Sequence, residues 1–385
     1  MMHVLETVFR TLGANPLLAF LCAGGMPLLW SVERRTSVWL GVMAATVPIF
    51  CLHAFLGAPA APYFAAQTLA AFGEAGCAAA AFLAFFALRR PDARIAFGIF
   101  ATVLLANYIT GKYLRFTGTA MPVTFDRVVA VGDATLGSQL SFAIGRLFGR
   151  VAAIRNLCFL TYNGLLFALL LLCSIRLRQD RGAALVLVGK FMAAGIAGSL
   201  LYAVLPVCGP AYAFPDAFPW HPLTLSLADA VPGFLPQAPR NGVPSLHFTW
   251  ALLFFLGAAD QPRMVRAVFG MFLVGTVLAT MGTGEHYCLD LVIAVPFACA
   301  IASLNRECWR DLRLRFSSLL LLCCTVAWML ILRFDPGLLL VSWRMPLVAG
   351  ATTVVPLLCW NLLRAPRSSR LVSAPSRWWS RPVLR

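Results

Sequence analysis

The sequence predicts an all-α, polytopic integral membrane protein, and three observations carry that prediction. Of 385 residues, 60% are hydrophobic and only 12% are charged, a balance foreign to soluble domains of this size. The mean hydropathy is +0.81. The apolar residues also gather into stretches near the length of a membrane-crossing helix, separated by loops that hold most of the arginines. About 11 transmembrane helices are expected, at roughly 16–31, 38–57, 63–87, 95–110, 152–174, 184–206, 244–259, 267–282, 286–303, 317–332 and 338–361.

The net charge of +16 comes almost wholly from arginine. Its placement between apolar runs suits topology-setting loops and anionic headgroups, and no nucleic-acid partner is expected. Alternate loops carry Arg34 and Arg35, then Arg89, Arg90 and Arg94, then Arg176, Arg178 and Arg181, then Arg263 and Arg266, then the run from Arg306 to Arg315. The tail from Arg364 to Arg385 continues the series, whereas the intervening loops hold far fewer cations. The positive-inside rule then makes that tail cytoplasmic and the N-terminus external. A bacterial inner membrane is the expected location.

Two external stretches interrupt the spans. Residues 111–150 contain Asp126, Asp133 and an apolar-periodic run from Phe142 to Phe148 that suits an interfacial helix. Residues 207–243 are rich in proline and aromatics, which suits a rigid lid with Phe218 and Trp220 at headgroup depth. Twelve cysteines lie mostly in apolar runs without a CxxC pair. Cys208 and Cys288 flank polar segments, and both a disulfide and two free thiols remain open for them. Lys190 and Glu74 fall in mid-span, where polar groups normally pair inside the bundle. His53 and His221 read as structural.

Two short polar segments open apolar runs: Arg240-Asn-Gly-Val-Pro-Ser-Leu-His247 and Thr283-Gly-Glu-His-Tyr-Cys-Leu-Asp290. Both fall on the expected periplasmic side. His286 and Asp290 are four residues apart, so a helix starting there sets them on one face. The carboxylate can then accept one imidazole N–H and leave the other ring nitrogen basic. His247, beside Gly, Pro and Ser at a second helix start, offers a proton donor and backbone N–H groups for an anion. Glu285 would repel phosphate, and is expected to turn away or to form a salt bridge. No histidine–cysteine grouping has metal-ligand spacing, so no metal and no cofactor are expected.

Pro244-Ser-Leu-His247 followed by Gly284-Glu-His-Tyr-Cys-Leu-Asp290 resembles the second and third signatures of the type 2 phosphatidic acid phosphatase superfamily. The branch containing inositol phosphorylceramide synthases is the most similar. The resemblance covers about residues 123–305. It implies a phosphatidic-acid-phosphatase-type helical bundle at 111–305, preceded by a four-helix membrane extension at 1–110. A transmembrane hairpin at 306–363 and a basic cytoplasmic tail at 364–385 would follow.

The resemblance further implies a nucleophilic His286 oriented by Asp290, and His247 protonating the leaving alcohol. Backbone amides around Gly242 and Ser245 would hold phosphate oxygens, with Asn241, Thr283 and Gly284 beside them. A phosphohistidine would then pass to water or to an acceptor hydroxyl. The superfamily's phosphatase pattern places arginine where this chain has Thr280, and its lysine–arginine first signature is absent. Arg240 is the substitute cation that the sequence offers. The expected partners are a lipid phosphate substrate and, for a transferase, a lipid or polyol alcohol acceptor. The functional alternatives are hydrolysis, head-group phosphotransfer of the inositol phosphorylceramide synthase type, and a non-catalytic lipid transporter on the same fold. Oligomeric state is not legible.

Overall fold

The computed structural model describes residues 16–55, 66–137, 139–304, 312–340 and 343–364. The expected tail from 365 onward and the 305–311 loop lie outside them. The described chain is almost entirely helical. Helices α1 (Pro16–Ala23) and α2 (Gly25–Val32) form a broken rod, followed by α3 (Thr36–Phe55), α4 (Ala66–Ala87) and α5 (Pro91–Ala120). A short strand β1 (Val123–Thr124) leads to α6 (Asp126–Thr135) and α7 (Leu140–Arg150). Then come α8 (Ala152–Asn163), α9 (Leu165–Leu177) and α10 (Arg181–Leu201). The long connection that follows holds one helical turn, α11 (Pro210–Ala213), and strand β2 (Gly233–Phe234). Helices α12 (Leu246–Gly257), α13 (Arg263–Gly282), α14 (Cys288–Ser303), α15 (Leu312–Phe334) and α16 (Arg344–Arg364) complete the order.

Each expected span coincides with a helix or a broken helix pair, but length and composition support fewer crossings than eleven. Among the described residues, four helices (α5, α10, α13 and α15) are long and apolar enough to cross a membrane. The number rises to six if the pairs α6–α7 and α8–α9 each count as one span. The α8–α9 pair bends by 57° at Gly164. In the remaining helices the described apolar stretches run to 10–17 residues, and the protein is an integral membrane protein of helical class. Helix α5 runs unbroken through residue 111, where the sequence reading divides the chain.

Helix α14 is the axis of the bundle. It is apolar all round after its first turn, and nearly all of it is buried against α6, α10, α12, α15 and α16. Helix α12 is buried almost as completely and packs on α14, α13 and α10. The N-terminal helices join this bundle rather than standing apart. Ala19 meets Gly73, and Gly25 meets Ala80, so α1–α2 and α4 run parallel. Gly76 has no room for a side chain because the Cys22 carbonyl occupies that position.

Within residues 111–150, the run from Phe142 to Phe148 lies in α7 as a helix, and α6 precedes it. Helix α6 is buried along most of its length and packs on α14, α15 and α16. Helix α7 is amphipathic, burying Ser141, Phe142, Gly145 and Phe148. Asp126 and Asp133 find backbone N–H partners inside the bundle.

Candidate active site

The site is assembled where the starts of α12 and α14 meet the 206–210 and 235–243 segments. His286 is held three ways. Its backbone N–H donates to the Thr280 carbonyl at 3.1 Å, and its carbonyl accepts the Ser141 hydroxyl at 2.7 Å. Its Nδ1 lies 3.2 Å from Asp290 Oδ2, with both side chains at most 1% exposed. The same carboxylate oxygen accepts the Tyr287 backbone N–H at 2.9 Å. An ionised carboxylate only accepts, so the pairing puts the imidazole proton on Nδ1 and leaves the Nε2 lone pair free. Nε2 makes no hydrogen bond with any described residue.

His247 sits in the first turn of α12. Its ring stacks on Tyr162 at 4.0 Å between centroids and 11° between planes, and meets Trp250 edge-on at 6.2 Å. The start of α12 is tied to the His286–Asp290 turn by the Ser245 N–H, which donates to the Asp290 backbone carbonyl at 3.4 Å. The structure therefore brings together His286, Asp290 and His247. Tyr162 joins them from α8, a contact that only the tertiary fold reveals.

The N-terminus of α14 is closed to an anion. Asp133 accepts the Cys288 and Leu289 N–H groups at 2.9 and 2.8 Å, and Asp290 takes that of Tyr287. The donors that a helix start offers to phosphate are thus already held by carboxylates. At α12, Ser245 is the N-cap, with its hydroxyl accepting the Phe248 N–H at 3.4 Å. The Ser245 N–H donates to the Asp290 backbone carbonyl at 3.4 Å, and the Gly242 N–H donates to Val207 at 2.8 Å. The expectation that the Gly242 and Ser245 amides hold phosphate oxygens is therefore corrected. Both are engaged in holding the loop to the bundle.

Arg240 is likewise placed differently from the expectation. It is fully buried, and its guanidinium donates to the carbonyls of Met121 at 2.8 Å, Ala238 at 2.8 Å, Pro122 at 3.3 Å and Leu235. Those carbonyls belong to the two segments that pair as β1 and β2, with Val123 opposite Phe234 and Thr124 opposite Gly233. Arg240 is a clamp for that junction, and its charge is surrounded by carbonyl dipoles instead of facing an open site.

Glu285 neither turns away nor forms a salt bridge. It accepts the Tyr212 hydroxyl at 2.9 Å and the Asn241 side-chain amide at 3.4 Å. Burial, and then the neighbouring Glu285 charge, push the Tyr212 phenol up, so it stays a protonated donor. The Asn241 Oδ1 is buried without a partner. Thr283 turns its hydroxyl back to the Ala279 carbonyl at 2.8 Å. Gly284 takes φ +75° and offers its carbonyl to the Ala211 N–H at 3.0 Å.

Asp126 organises the opposite wall. Its carboxylate accepts the Gly209 N–H at 2.8 Å, the Cys208 N–H at 3.2 Å and the Tyr287 hydroxyl at 3.0 Å. Gly209 takes φ +100°, and the space a side chain would fill is occupied by the Gly284 and Glu285 carbonyls. Cys208 and Cys288 are free thiols. Phe218 packs edge-on against Phe142 at 5.3 Å, while Trp220 is half exposed beside Gly149. His221 is exposed, and the side chain of His53 lies outside the described residues.

These features define a helical membrane protein with a buried histidine–carboxylate pair and a second histidine at the start of the neighbouring helix. Residues 127–304, just under half of the chain, match the model of the PAP2 superfamily. The resemblance carried by Pro244–His247 and Gly284–Asp290 thus holds at superfamily level. That match supports a reaction of phosphatase or phosphotransferase type. No curated protein and no solved structure matches the chain.

Proposed function

We propose that the protein is a membrane enzyme that cleaves or transfers the phosphate of a lipid phosphate ester through a phosphohistidine on His286. The buried His286–Asp290 pair, with Nε2 unpartnered, is the observation that carries this reading. Nε2 attacks phosphorus, the N–P bond forms and the P–O bond to the leaving alcohol breaks. His247 supplies the proton to the departing oxygen and then removes one from the incoming water or alcohol. That second nucleophile displaces Nε2 and restores the histidine. Asp290 holds the ring orientation and offsets the positive charge that it acquires. The stacked Tyr162 fixes the plane of His247.

A second reading within the same chemistry draws on Arg240. With that guanidinium buried among carbonyls, phosphate charge is met by fewer donors than a dianionic monoester calls for. This supports transfer from a phosphodiester head group, the reaction type of inositol phosphorylceramide synthases. The site is assigned to the periplasmic side and the tail to the cytoplasm on the arginine distribution between loops. Residues 1–110 are proposed as an N-terminal extension to the bundle and 306–363 as its C-terminal hairpin.

The test uses purified protein in lipid with lipid phosphomonoesters and phosphodiesters, with and without alcohol acceptors. Phosphate release and new lipids are followed by mass spectrometry. Turnover that disappears in His286→Ala supports the enzyme reading. Full turnover in that variant, or silence across the panel in both proteins, removes it and leaves transport.

A further inference from the structure

At the far end of α10 and α12 from His286, a cavity of about 920 Å³ opens to the surface. It lies where the α2–α3 loop, the α9–α10 turn and the α12–α13 turn meet. Its charged lining is Arg34, Arg178, Arg181, Asp92 and Asp180. Arg181 is paired with Asp92. Asp180 accepts the Gly182 N–H at 2.8 Å and caps α10. The lining glutamines, Gln179 and Gln261, bond to each other at 2.9 Å.

Two cations are left over, and the Asp180 carboxylate is matched by no cation among the described residues. Among the described residues, neither Arg34 nor Arg178 has a carboxylate partner within ion-pair distance. The nearby acids are taken: Glu33 by Arg35 and Arg90, and Asp260 by Arg176. Burial lowers the Arg178 pKa, and the like charge of Arg34 lowers it further. Arg34 and Arg178, both exposed and both lining the cavity, offer two guanidiniums to a phosphoryl group, which each can engage by bidentate hydrogen bonds.

We propose that this cavity binds a phosphate-bearing anion between Arg34 and Arg178, as a second site separate from the catalytic centre. The anion is either the headgroup of an anionic phospholipid or phosphate free in solution. One arginine comes from the N-terminal helices and the other from the bundle, so the ligand bridges the two parts. The inference is independent of the reaction assigned to His286.

The test is residue-resolved protection from phenylglyoxal in the full chain in nanodiscs, read by peptide mass spectrometry. Arg263, exposed at the same end but outside the cavity, is the reference. The arms are phosphatidylcholine discs alone, the same discs with millimolar inorganic phosphate, and discs containing phosphatidylglycerol. Modification of Arg34 and Arg178 should slow about tenfold relative to Arg263 when the ligand exceeds its Kd about tenfold. Protection by phosphatidylglycerol discs alone assigns a lipid headgroup, and protection by inorganic phosphate as well assigns free phosphate. Equal modification of all three residues in every arm overturns the proposal. Arg34→Gln should also abolish the protection of Arg178, and undiminished protection in that variant overturns the two-arginine site.

Discussion

Replacing Asp290 separates its charge from its role as an acceptor. Asp290 Oδ2 receives two N–H groups, from His286 Nδ1 at 3.2 Å and from the Tyr287 backbone at 2.9 Å, while Oδ1 is buried without a partner. In Asp290→Asn the amide oxygen takes the Oδ2 position, and the NH2 group replaces one unsatisfied atom with another. Both hydrogen bonds survive, and what is lost is the charge facing the ring as it becomes phosphorylated. Bonds to a charged group contribute about 1.5–3 kcal/mol and neutral ones about 0.5–1.5 kcal/mol. The difference of about 1–1.5 kcal/mol predicts a roughly tenfold slower phosphoenzyme formation. Asp290→Ala leaves both buried N–H groups unpaired at about 1–3 kcal/mol each, more for the charged ring. It should slow the step by about 10²- to 10³-fold and lower Tm as well. The assay is single-turnover phosphoenzyme formation, quenched in base to preserve phosphohistidine, alongside thermal unfolding. Two results would refute the reasoning: Asn and Ala variants equally slow, or an Ala variant within about threefold of the parent rate.

Three further outcomes are expected. Arg240→Gln removes hydrogen bonds to four carbonyls, and at about 1 kcal/mol each should cost about 4 kcal/mol. Tryptophan-monitored unfolding should show the loss, while KM of the folded fraction stays within about threefold, since the guanidinium does not bind substrate. Gly209→Ala should be inactive or unstable, because φ +100° disfavours a side chain and the Gly284 and Glu285 carbonyls fill its space; normal activity and Tm would contradict the geometry. Glu33 is held at about 2, against an ordinary 4.5, first by its hydrogen bonds to the Arg35 side chain. A depressed folded-state pKa stabilises above the unfolded value, so that contribution is complete above about pH 4.5 and fades as pH falls toward 2. A Tm-versus-pH series should show a weaker acid loss in Glu33→Gln.

The helices were legible because apolar run length is a one-dimensional property, and the His286–Asp290 contact because a four-residue spacing needs only a helix to bring it together. The number of crossings was not, since α12 and α14 are as apolar as spanning helices but shorter, and their length is set by the polar segments they leave. Arg240 was misread for a different reason. A lone arginine beside a histidine motif looks like an anion ligand, and its real acceptors are carbonyls that converge only when β1 pairs with β2. Asp126 and Asp133 carried a signal, being seven residues apart and so on one face of α6. Their partners, the 208–209 amides and the first turn of α14, lie more than 80 residues away in the chain.

These carboxylates constrain the substrate. Asp126, Asp133 and Asp290 take the amides around His286, and Glu285 takes Tyr212 and Asn241. The backbone donors that would spread a phosphate's charge are thus held by carboxyl groups, and Glu285 is the residue next to His286 in the chain. A dianionic monoester meets the larger repulsion, whereas a phosphodiester brings one charge and releases an alcohol that His247 can protonate. The arrangement therefore favours diesters in kcat/KM. Glu285→Gln narrows that preference by improving the monoester more, as it removes one charge while keeping an acceptor for Tyr212. A monoester preference in the parent, or a variant that slows both substrates alike, would show that the carboxylates serve the fold alone.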